Sequence, residues 1–208
     1  MNKLKCYAII GIIFVILTGT LSHFVYGWSH QNFILGFFFP VSESTWEHMK
    51  MCFFPMLIYS FFMKERLIKE YPCIPSALLS GILLGTFLIP AIFYTYTGII
   101  GKNFFLLDIA TFLLSVILAF VAVYKLTQSC KMDSYTLILG VLVSILFFCF
   151  LFFTYTPPSI GIFIVPGTPF WQAPVYDQLS FRYLRKKINR FMVDLSLVAY
   201  VQEFSFLA

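Results

Sequence analysis

Apolar residues run almost unbroken through five stretches of this chain, and polar residues gather in the short gaps between them. Runs of about 20 such residues, at about 1.5 Å rise each, cross a hydrocarbon core of about 30 Å. The pattern therefore predicts an all-α integral membrane protein of five transmembrane helices, Cys6 to Tyr26, Trp46 to Met63, Ile74 to Tyr96, Phe104 to Leu126 and Tyr135 to Phe153. Short connections, such as Met63 to Cys73 and Gly98 to Asn103, make sequential helices antiparallel. A cleaved signal peptide is the alternative for the first run, because Lys3 and Lys5 precede it and Thr20-Leu21-Ser22 is a tolerable cleavage site. Signal h-regions usually span about 7–15 residues, so this longer run is expected to be a retained helix.

Two segments do not fit that scheme. Residues 28–40 are apolar and aromatic (Trp28, Phe33, Phe37, Phe38, Phe39) but too short to span, which predicts an interfacial or re-entrant element. Residues 169–208 form a basic tail apart from the membrane domain of residues 1–168. In it, Leu184, Ile188, Phe191, Leu195 and Val198 recur at helical spacing beside Arg182, Arg185, Lys186, Lys187 and Arg190, which predicts an amphipathic surface helix. Asp194, Gln202 and Glu203 argue against a sixth span. Such a helix favours the anionic cytoplasmic leaflet, yet five spans put it outside. Either a span is miscounted or the tail is an atypical extension, and the second reading is favoured.

Composition and charge give the class and orientation. Apolar residues are 60% of the chain and charged ones 11%, with a mean hydropathy of +0.89, against about 45–50% and about 25% in soluble domains. The lipid bilayer is the first partner expected. The net charge of +5 is spread over helix-flanking Lys and Arg, so nucleic acid is not an expected partner. Lys3, Lys5, Lys64, Arg66, Lys69, Lys125 and Lys131 fall on one side of the membrane, and only Lys50 and Lys102 on the other before the tail. The positive-inside rule then predicts a multi-pass cell-membrane protein with a cytoplasmic N-terminus. Cys6, Cys52, Cys73, Cys130 and Cys149 are odd in number, scattered and without C-x-x-C spacing, and read as small hydrophobes rather than a disulfide framework or zinc site.

With that orientation, the intramembrane polar residues share one level. His23 ends the first helix, while Glu43, Trp46, Glu47, His48 and Lys50 open the second. Tyr94 and Tyr96 end the third, Asp108 lies one turn into the fourth, and Thr154 and Tyr155 close the fifth. Ionisable residues in a membrane are costly and mark function by default. Each also has a structural explanation. Ser44-Thr45-Trp46-Glu47 reads as a capping box, and Lys50 can pair with Glu47 at i+3 or snorkel outward. Trp46 reads as an interface anchor and His23 as a hydrogen-bonded core histidine. Asp108 needs a partner, for which Lys50 or a histidine is expected.

The expected function is non-enzymatic handling of a small polar ligand or ion at an outward-facing site made by His23, Glu43, Trp46, Glu47, His48, Lys50 and Asp108. A membrane-embedded hydrolase is the alternative, using a divalent metal on His23, His48 and Asp108. It lacks both H-E-x-x-H and H-x-x-x-H. A structural or assembly role is the third reading.

The run P-V-S-E-S-T-W-E-H-M-K-M-C-F-F-P, Pro40 to Pro55, resembles the signature of a family of small polytopic bacterial membrane proteins, found mainly in Gram-positive anaerobes and classed as a domain of unknown function. In that pattern Ser42 stands where asparagine is usual. His23 with Tyr26, Asp108 with Ile109, and Pro157, Pro158, Ile160 and Phe163 resemble further elements of it, over roughly residues 5–168. The pattern has an aspartate where Val165 stands and ends soon after Pro166. The resemblance implies a membrane location and nothing about activity.

Overall fold

A computed structural model describes residues 2–166, and among them every regular element is helical. The long helices are α1 (Lys3–Trp28), α3 (Thr45–Leu67), α4 (Ile74–Ile100), α5 (Phe105–Ser129) and α6 (Thr136–Phe153). A short helix α2 (Phe33–Gly36) and the 3₁₀ turns Asp133–Tyr135 and Gly161–Phe163 complete the set. Five long helices thus cover the five expected runs: α1, α3, α4 and α5 run past the expected ends by one to four residues, while α5 and α6 each begin one residue later. The basic tail lies outside the described residues.

Lys3–Trp28, Ile74–Ile100, Phe105–Ser129 and Asp133–Phe153 are each long and apolar enough to cross a membrane, which makes this a multi-pass membrane protein. The remaining long helix, α3, has 23 residues, long enough to span at about 1.5 Å per residue, but it carries the charges. Its position explains how it tolerates them. From Ser44 to Met56 every residue is buried except half-buried His48. α3 packs on α1 and α4, and its aromatic side meets α6 where Trp46, Phe53 and Phe54 lie against Phe150. A helix ringed by its neighbours can bury polar groups that lipid would expose unpaired.

Backbone approach is closest where proline and glycine meet. Pro55 has no N–H for the carbonyl of Met51, and Gly19 of α1 lies against that same carbonyl. A Cβ on Gly19 would fall 2.5 Å from it and 2.6 Å from Phe112 Cζ. In this way α1 seats directly on the α3 backbone, one turn below His23. Gly85 similarly admits Ala119 of α5 and Cys52 of α3, at 2.8 and 3.1 Å from a notional Cβ. Gly140 of α6 makes no such approach, since a notional Cβ there would meet only Leu79 Cδ1, at 3.9 Å.

After α1 the chain reverses through His30 and Gln31, both left-handed with φ of 53° and 58°. Asn32 then caps α2, its side chain accepting from the Ile34 and Leu35 amides. The expected element over 28–40 is narrower than its aromatic run, because Trp28 belongs to α1. Its rings turn toward the protein. Phe33 stacks on Tyr155 with centroids 4.6 Å apart, and the Tyr155 hydroxyl donates to the Phe33 carbonyl at 2.7 Å.

At the other end of the bundle, Lys3 pairs with Glu70, and the Tyr71 hydroxyl donates to Asn2 Oδ1 at 2.9 Å. Here the structure corrects the cysteine reading. Cys73 and Cys130 form a disulfide, with S–S 2.03 Å, across 57 residues of sequence, while Cys6, Cys52 and Cys149 are free thiols. Packing of α4 against α5 brings the start of one beside the end of the other, a proximity that spacing alone does not reveal.

Candidate functional site

Helix α3 begins at Ser44, whose hydroxyl accepts from the Glu47 amide at 3.4 Å. Only that half of the expected capping box forms. The Glu47 carboxylate does not return to the Ser44 amide; its Oε2 accepts instead from the Val41 amide at 2.9 Å and from Lys50 Nζ at 2.8 Å. Lys50 directs its other two protons to the Gly36 carbonyl at 3.1 Å and Thr154 Oγ1 at 2.6 Å. Three donors meet three acceptors, so this ammonium is saturated. It ties α2, α3 and the end of α6 together. With side-chain exposures of 3% for Glu47 and 0% for Lys50, both members of the pair are turned wholly inward. Trp46 is also enclosed, its ring against Phe150, Phe153 and Phe163.

Glu43 has the opposite surroundings. It sits just before the cap, 63% exposed, with its Oε2 3.4 Å from His23 Nε2 and 3.4 Å from His48 Nε2. The two imidazole rings are 5.3 Å apart between centroids. His48 Nδ1 lies 2.9 Å from the Ser44 carbonyl. A carbonyl only accepts, so Nδ1 carries a proton, and in the neutral tautomer Nε2 presents a lone pair. That lone pair faces a carboxylate oxygen, which is also an acceptor. Two acceptors so placed call for a cation between them, a proton or a metal ion.

The ligand atoms of His23, Glu43 and His48 all lie within 4.8 Å of one another. A tetrahedral ion with bonds of about 2.0–2.1 Å to nitrogen and oxygen spaces its ligands by about 3.4 Å. Both carboxylate–imidazole separations, 3.4 Å each, match that spacing. The backbone-anchored Nδ1 of His48 is the kind of outer contact that holds a metal-binding imidazole in its tautomer.

The trio lies on a cavity of about 680 Å³. α1 contributes Thr20, His23 and Phe24; α3 contributes Thr45, His48 and Met51; α4 contributes Ile89 and Phe93. α5 adds Asp108 and its apolar neighbours, and Val165 and Pro166 follow from beyond α6. Asp108, which sequence reasoning matched to Lys50 or a histidine, accepts instead from the Tyr96 hydroxyl. Tyr96 was visible at the end of its helix, but nothing local linked it to Asp108. Of the sequence candidates, then, the cavity gathers His23, Glu43, His48 and Asp108, while Trp46, Glu47 and Lys50 lie behind its wall.

The model of a family of unknown function (DUF6512) matches residues 1–167. The chain belongs to this family. No curated protein and no solved structure matches it. The matched region of this DUF6512 member contains every residue of the cavity and of the Glu47–Lys50 clamp.

Proposed function

We propose that this membrane protein binds a small cation, a borderline divalent metal ion, at His23, Glu43 and His48, and handles it at the outward-facing end of the bundle. The observation that carries this reading is the pair of imidazole Nε2 atoms set 3.4 Å from one carboxylate oxygen, with the His48 lone pair fixed by the Ser44 carbonyl. Two nitrogens and one oxygen suit zinc-like ions better than calcium or magnesium, which prefer oxygen-only shells. Three protein ligands leave a fourth position for a further ligand.

Zinc titration of the purified full-length protein tests it, with bound metal counted by elemental analysis. Saturable uptake of one ion per chain is expected, weakened at least about 100-fold in His48→Ala, since losing even an outer-shell partner costs about 10–100-fold. Equal uptake by wild type and variant would reject the site.

The hydrolase alternative rests on Asp108, a second carboxylate lining the same cavity, which would serve as its general base. It requires ester or amide turnover that disappears in Asp108→Asn while metal content holds.

The outward placement follows from the positive-inside rule, which puts Lys3, Lys5, Lys64, Arg66, Lys69, Lys125 and Lys131 in the cytoplasm. The Cys73–Cys130 bridge at that basic end is the opposing observation, because disulfides persist in oxidising compartments, and labelling decides between the two. Labelling of Lys102→Cys by a membrane-impermeant maleimide in intact cells, without lysis, is the expected outcome; labelling only after lysis inverts the assignment.

A further inference from the structure

The metal trio occupies a small part of the cavity, and the remainder has a different chemistry. A cavity of about 680 Å³ lies in the range of about 300–1,000 Å³ used for drug-sized ligands, far more than a hydrated ion needs at about 30 Å³ per water. Most of its wall is hydrocarbon, including Met51, Ile89, Phe93, Phe112 and Leu113. Its polar side chains are set among this hydrocarbon, with the trio together on the α1–α3 side and Asp108, hydrogen-bonded by Tyr96, on α5. Phe24, Phe105 and Ile109 line the cavity and are also exposed at the molecular surface, by 50, 81 and 40%. In a bilayer those three side chains would touch acyl chains, so the cavity wall continues into the lipid-facing surface. A hydrophilic ligand would leave this wall unpaired with anything apolar. A bare hydrocarbon would leave the trio without a ligand.

We infer that the cavity takes a single-chain anionic amphiphile, whose carboxylate or phosphate head completes the metal at His23, Glu43 and His48 and whose alkyl chain lies along Ile89, Phe93, Ile109 and Phe112. This rests on the metal reading above. The charges at the ion agree with it: a divalent ion held by Glu43 keeps a net positive charge, which an anionic oxygen donor neutralises, while Asp108, the other carboxylate on the cavity, accepts from the Tyr96 hydroxyl. Size sets the number of chains, because a two-chain phospholipid is larger than the ligands that such cavities enclose. The occupant is therefore drawn from the membrane or its surface, and the polar end fixes its orientation.

The test uses the full chain in lipid nanodiscs loaded with zinc, with radiolabelled laurate and dodecyl phosphate as probes and protein-free nanodiscs as background. Saturable binding of about one probe per chain is expected, and the two probes distinguish a carboxylate from a phosphate head. Acetate and inorganic phosphate, which have the heads without the chain, should compete at least 100-fold more weakly. Ile109→Trp fills the alkyl region at a partly exposed position and should remove probe binding while zinc content stays at one per chain. Zinc at one per chain with equal competition by the short anions would overturn the amphiphile and leave the metal site standing. Probe binding unchanged in Ile109→Trp would do the same. Zinc absent from wild type would overturn the metal reading and this one with it.

Discussion

Glu43 and Glu47 lie four residues apart, in one run of sequence, at the mouth of one helix, and their surroundings are opposite. Glu47 is 3% exposed, and its carboxylate is matched by Val41 and Lys50. Glu43 is 63% exposed and faces two imidazoles at 3.4 Å. The first environment is complete without any ligand. The second sets an acceptor against an acceptor unless a proton or a metal ion bridges them. Residue type therefore does not separate a structural carboxylate from a ligand-binding one; what separates them is whether the fold supplies its counter-charge.

The contrast is most severely tested at Lys50. Lys50→Met strands the Glu47 carboxylate in the protein interior, and breaking one partner of a buried pair costs about 3–5 kcal/mol. A large drop in thermal unfolding temperature is expected, and Lys50→Met combined with Glu47→Gln should recover most of it. If the single variant melts like wild type, the pair is not the clamp described. Glu43→Gln should do the reverse, lowering zinc affinity at least about 100-fold while shifting apo stability by no more than about 0.5 kcal/mol, as for ordinary surface changes. A strongly destabilised Glu43→Gln would mean that both carboxylates are structural.

Smaller effects sharpen the comparison. Gly19→Val sets side-chain atoms against the Met51 carbonyl and Phe112 and should push α1, with His23, away from α3. The expected result is about tenfold weaker zinc binding with Glu43 and His48 intact; unchanged affinity would show that His23 does not ligate. Ser44→Ala removes the cap hydroxyl at a cost of about 1 kcal/mol. It leaves the backbone carbonyl that orients His48, so zinc affinity should hold, and a parallel loss of metal would indicate that the site depends on the cap.

Much of the fold is legible in the chain because a bilayer imposes a length on each apolar run. The helices were readable to within a few residues for that reason, and the Glu47–Lys50 pair because i+3 neighbours meet on any helix. What closes the clamp was not readable. Gly36 and Thr154 lie 14 and 104 residues from Lys50, and no local pattern encodes a contact made through space. The same holds for Tyr96 with Asp108 and for Cys73 with Cys130. The convergence of His23, Glu43, His48 and Asp108 was legible only as a shared depth in the membrane; which of them meet depended on the rotation of each helix, set by contacts such as Gly19 on Met51.

The central place of α3 has a consequence for how the protein is made. The four other long helices are apolar enough to enter a bilayer as independent segments, whereas α3 carries Glu47 and Lys50 in its first two turns, and ionisable side chains within a membrane segment are costly. One of the three acceptors of this lysine arrives late, since Thr154 is synthesised 104 residues after it. The ribosome will have delivered α4, α5 and α6 before the ammonium is fully enclosed. α6 thus completes the enclosure by locking onto α3 through Thr154 and Lys50.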